Sequence, residues 1–100
     1  MPQTMSERAA IAAMIAALEI ASADCVPGSE CQRLLEKCLR TVRTLEAGEC
    51  AGSAERAARA RSAAQMLRDA SLQNGSQIQS SMEDARRNMT NLLFAILQPR

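Results

Sequence analysis

The chain has no histidine, no tryptophan and no tyrosine, and only one phenylalanine (Phe94) and one lysine (Lys37). Without histidine there is no imidazole to act as general base and no imidazole metal ligand. Without an aromatic set there is no platform on which nucleic-acid bases would stack. Proline stands only at positions 2, 27 and 99, and glycine only at 28, 48, 52 and 75. The long intervals between them are therefore free of the two residues that interrupt helices. Residues 9–18 (AAIAAMIAAL) are uncharged but fall short of the roughly 20 apolar residues that a membrane span needs.

What is present is a chain of 100 residues, 47% hydrophobic and 23% charged, with net charge +1. That balance suits one small folded domain rather than a disordered segment. Eleven of the twelve basic residues are arginine, and there are nineteen alanines. Both residues have GC-rich codons, which fits a bacterial or phage origin. Residues 1–50 carry five basic and seven acidic groups, and residues 51–100 carry seven and four. So mild an asymmetry is not an electrostatic footprint for nucleic acid.

The apolar pattern predicts an all-α domain of four helices, at about 5–24, 30–47, 54–73 and 77–97. The first opens on the capping box Thr4-Met5-Ser6-Glu7 and carries Ile11, Met14, Ile15 and Leu18 on one face. The second opens on Ser29-Glu30-Cys31-Gln32. Its seam is Cys31, Leu35, Cys38, Val42 and Leu45, widened by Leu34 and Leu39, and Gly48 is its stop. The third follows Gly52 with Ser53 as cap, and its stripe is thin: Ala57, Ala60, Ala64, Leu67 and Ser71. The fourth opens on Ser76-Gln77-Ile78-Gln79 and runs through Ile78, Met82, Ala85, Met89, Leu92 and Ile96. Glu36–Arg40 and Glu83–Arg87 have the spacing of ion pairs one turn apart. Asn74-Gly75 reads as a turn. The alternative is one long helix from 54 to 97, since the two stripes phase together through Ser71 and Asn74. Matched lengths and short connections predict an antiparallel three- or four-helix bundle, or a pair of helical hairpins.

The four cysteines stand at 25, 31, 38 and 50. They contain no C-x-x-C pair, so a zinc knuckle is not indicated, and no cofactor or metal is expected. Within a helix Cys31 and Cys38 are roughly 10 Å apart, too far for a disulfide. Cys31 can reach Cys25, but a partner for Cys38 requires the chain to double back to Cys50. Reduced thiols in a cytoplasmic protein are the reading adopted, with Cys31 and Cys38 as core residues. The competing reading is a secreted protein with disulfides. It rests on the apolar residues 9–18 and on Ala21-Ser22-Ala23, which mimics a cleavage site. Against it stand Glu7 beside Arg8 in the leader and Glu19 before the site.

The functional expectation comes from surplus apolar surface. Residues 92–97 (LLFAIL) are apolar on every side, and Phe94 lies some 160° around the helix from Leu92. Both cannot face one partner: either the fourth helix is the central helix of the fold, or Phe94 meets something outside the monomer. Alanine on the third helix covers little of what the other three present. The excess predicts a homodimer and a non-catalytic protein-interaction module, such as an adaptor, inhibitor or small chaperone. Its contact residues are expected to be Phe94, Leu93 and Leu97 with Leu34 and Leu39 on the second helix. An enzyme is not expected: the serines lack a histidine base, and Glu83 and Asp84 have no evident cleft. A nucleic-acid-binding protein is the alternative, with Arg56 and Arg59 on the third helix as possible anion contacts.

Overall fold

The structure, a computed structural model, describes residues 6–73 and 78–97. The protein is all-α, with α1 (Glu7–Asp24), α2 (Glu30–Glu46), α3 (Ser53–Gln73) and α4 (Gln79–Leu97). Each helix packs against the next in sequence, and α1 also packs against α4. Among the described residues α1 does not approach α3, nor α2 approach α4, within 8 Å between Cα atoms. The seam between α2 and α3 is the most extensive of the four, and that between α3 and α4 the sparsest. Cys31 meets Ala70 and Cys38 meets Ala63, so α2 and α3 run in opposite directions. The Cα radius of gyration of 13.1 Å is close to the ~13 Å expected of a folded chain this long.

Local chemistry sets most of the helix ends. Ser6, not Thr4, caps α1: its Oγ accepts the Ala9 amide at 3.1 Å. Two overlapping Ser/Thr positions compete here, and the later one wins; Thr4 lies outside the described residues. Ser29 caps α2 as expected, accepting the Gln32 amide at 3.1 Å. The reciprocal arm lands one residue early, on the Gly28 amide at 2.9 Å, because the Ser29 amide donates to the Val26 carbonyl. That bond closes the turn Val26-Pro27-Gly28-Ser29, in which Gly28 takes φ +77°. At the end of α2, Gly48 adopts φ +71°. The Gly48 amide bonds the Leu45 carbonyl and the Glu49 amide the Thr44 carbonyl, the paired pattern that satisfies a helix's last acceptors.

Ser53 is the first residue of α3 rather than its cap; Gly52 stands in the cap position, its carbonyl accepting the Arg56 amide at 3.0 Å. Glu55 reaches back to accept the Ala51 amide. The Asn74-Gly75 turn and the Ser76-Gln77 half of the third box lie outside the described residues. The long-helix alternative fails all the same, because α3 and α4 lie side by side.

The core is a single cluster. Its large members include Met14 and Leu18 of α1, Leu35, Val42 and Leu45 of α2, Leu67 of α3, and Met82, Met89 and Leu92 of α4. All five seam residues of α2 are buried as the heptad spacing predicts. On α3 the stripe is rotated: Ala60, Ala63, Leu67 and Ala70 are buried, while Ala57, Ala64 and Ser71 are half-buried. Alanine occupies nearly every side of this helix, so its own pattern cannot choose a face; the partner seam on α2 does.

The ion pairs are also redistributed. Arg87 meets Asp84 instead of Glu83, at 3.1 Å. Neither Glu36 nor Arg40 has an ionic partner among the described residues; α2 uses Glu30–Arg33 and Arg43–Glu19, the latter at 2.9 Å between helices. These pairs are solvent-exposed and contribute little to stability.

Candidate interaction surface

Phe94 is 58% exposed although Leu92, two residues earlier, is fully buried. That contrast is what the 100° step per residue demands of an apolar run continuing past its core face. Leu97, one turn from Phe94 on the same side, is 40% exposed, and Leu93 beside them is half-buried. The end of α4 thus presents Leu93, Phe94 and Leu97 outward as one apolar ridge.

Leu34 and Leu39 do not join that ridge. Both are half-buried on α2, which does not touch α4, and they lie on opposite flanks of their helix. Leu34 shares a face with Thr41, whose hydroxyl reaches the Met66 sulfur of α3 at 3.9 Å. Leu39 shares a face with Arg43, which pairs with Glu19 of α1. They serve as side walls of two internal seams, so the single surface expected from sequence is divided.

A second feature adjoins the ridge. Between α3 and α4 runs a groove of about 330 Å³, with Leu67, Leu72, Met89 and Leu93 as its large apolar residues. Arg68 contributes to one wall and Arg86 to the other. Leu72, at 80%, is the most exposed large apolar side chain among the described residues. Sequence periodicity passes over Leu72 because it is off every stripe. The small residues Ala64 and Ser71, which also line the groove, are the available signal: placed on the rim, they leave the gap.

Arg56 and Arg59 are both engaged by carboxylates. Arg56 pairs with Glu7 of α1 at 2.8 Å in a partly buried position, and Arg59 pairs with Glu55 at 3.3 Å. The Ala51 amide and then Arg59 hold the Glu55 carboxyl below its ordinary range. Glu30 is likewise lowered, by the Arg33 guanidinium.

No protein-family model, curated protein or solved structure matches this chain. The reading of function rests on its own residues.

All four cysteines are free thiols. Cys25 and Cys31 meet at 3.5 Å between sulfurs where α1 turns into α2, and Cys31 also reaches the Ala70 carbonyl at 3.5 Å. Cys38 donates to the Ala63 carbonyl at 3.2 Å. Burial pushes the Cys38 thiol up to about 12; burial, then the neighbouring Cys31, does the same to Cys25. Protonated, enclosed thiols are poor nucleophiles. Among the described residues no three side chains gather as metal ligands, and no helix is long and apolar enough to cross a membrane.

Proposed function

We propose that this protein is a non-catalytic interaction module: an antiparallel four-helix bundle that pairs as a homodimer through the outer face of α4. One observation carries the reading. The only aromatic side chain of the chain, Phe94, stands 58% exposed beside Leu97 and Leu93. Single exposed apolar residues are common on monomers, but here three adjoin on one helical face. An isologous contact, in which the same ridge meets its copy, is the simplest way to cover them.

The rest of the chain supports a binding role over a catalytic one. Its thiols are buried or unassisted, and its hydroxyls have no histidine base. The nucleic-acid reading gains nothing from Arg56 and Arg59, whose charges are each offset by a carboxylate. Sedimentation velocity across the micromolar range tests the dimer. The expected outcome is a sedimentation coefficient that rises with concentration toward that of two chains; a constant single-chain value would refute it.

A further inference from the structure

The groove between α3 and α4 has a chemistry that names its occupant. Its apolar residues are Ala64, Leu67, Leu72, Met89 and Leu93, and its charged residues are Arg68 and Arg86, one on each helix. No carboxylate lines it. Among the described residues neither arginine has a carboxylate within 4 Å, which they share with Arg8, Arg40 and Arg61, whereas Arg33, Arg43, Arg56, Arg59 and Arg87 are paired. Two other cavities each contain an acid: Glu7, already paired with Arg56, at the end where α1 and α3 begin, and Asp84, paired with Arg87, between α1 and α4. In the α3–α4 groove the apolar residues are flanked on both sides by cations that lack a carboxylate partner among the described residues.

An amphipathic helix laid along a groove of this kind buries a row of apolar side chains at i, i+3, i+4 and i+7. The residues bordering that row then face the two walls. With arginine on both walls, the complementary border is acidic on both sides, and two guanidinium–carboxylate contacts fix the helix against the groove. We infer that the α3–α4 groove is a docking site for an amphipathic helix of a partner protein whose apolar stripe is flanked by Asp or Glu. The inference deepens the interaction reading by naming the partner's chemistry, and it does not depend on the dimer.

The test uses two synthetic amphipathic helical peptides with the same leucine stripe, one flanked by glutamates and the other by lysines. Each is titrated into the full-length isotopically labelled protein. The expected result is that the acidic peptide binds about tenfold or more tightly than the basic one, with amide shifts centred on residues 64–72 and 86–93. The double variant Arg68→Glu/Arg86→Glu should reverse the preference and bind the basic peptide, which also shows that the variant is folded. Equal binding of both peptides, no binding of either, or shifts centred elsewhere would overturn the inference. So would loss of the wild-type dimer in the double variant, which would mean that a second copy fills the groove. Failure of the dimer alone, seen as a single-chain mass with the peptide preference intact, would leave the groove standing and remove only the α4 contact.

Discussion

Two sides of α3 behave differently. Toward α2 its alanines are fully buried, and the Cys38 sulfur reaches the Ala63 backbone carbonyl at 3.2 Å. Toward α4 its small residues Ala64 and Ser71 sit half-buried on the rim of a 330 Å³ groove. The residues are of the same kind, and the partner makes the difference. The α2 seam offers Cys, Leu, Cys and Val in tight register, and small residues opposite it bring the backbones together. Facing α4, the same smallness leaves a channel. Alanine does not specify closeness by itself; it permits either a tight seam or an open one.

The contrast can be broken most forcefully at Leu35, fully buried on α2. Leu35→Ala should cost about 3 kcal/mol, lowering the melting temperature by roughly 15 °C. Leu93→Ala, on the groove side, should cost about 1 kcal/mol, because its side chain is only half enclosed. Calorimetry or urea unfolding of the two variants checks this, and equal losses would erase the distinction. Adding volume sharpens it further. Ala63→Leu forces a side chain between two close backbones and should destabilise by about 2 kcal/mol. Ala64→Leu, one residue along, grows into the groove and should be near neutral, read by the same unfolding experiment.

The α2–α3 seam also carries a dependence on alkaline pH. Burial keeps the Cys25 and Cys38 thiols protonated in the folded chain up to about pH 12, against an ordinary value of 9.0. The unfolded chain ionises them above that ordinary value and so binds fewer protons than the folded one. Stability therefore falls as pH rises from about 9 toward about 12. Urea unfolding at about pH 8 and about pH 10 should show this fall, and Cys38→Ala should make it shallower without removing the Cys25 contribution.

What could be read beforehand follows the strength of the pattern. The α2 seam of Cys31, Leu35, Cys38, Val42 and Leu45 contrasts sharply with charged neighbours, and every member is buried. That Phe94 and Leu92 face different ways follows from helix geometry; that the Phe94 side is the outer one follows only from the place of α4, packed against α1 and α3. The face of α3 was not legible, since alanine on nearly all sides gives periodicity nothing to choose between. The division of Leu34 and Leu39 between two flanks was hidden for another reason. Both belong to one widened stripe in sequence, and only the positions of α1 and α3 show that a wide stripe serves two neighbours. The groove was missed because it is made of absences, small residues where a filled rim would carry large ones. Ion pairs were misassigned where several partners of similar reach compete on an exposed helix, as Asp84 and Glu83 do for Arg87.

The claim on which the functional account turns is that the apolar ridge at the end of α4 is covered by another chain. Light scattering at tens of micromolar can decide it with three proteins: the wild type, Phe94→Glu, and Ile20→Glu, whose site on α1 is as exposed as Phe94 at 60% but lies off the ridge. The expected masses are two chains for the wild type, one chain for Phe94→Glu and two chains for Ile20→Glu. A wild type that scatters as one chain, or a Phe94→Glu variant that keeps the mass of two, would contradict the account.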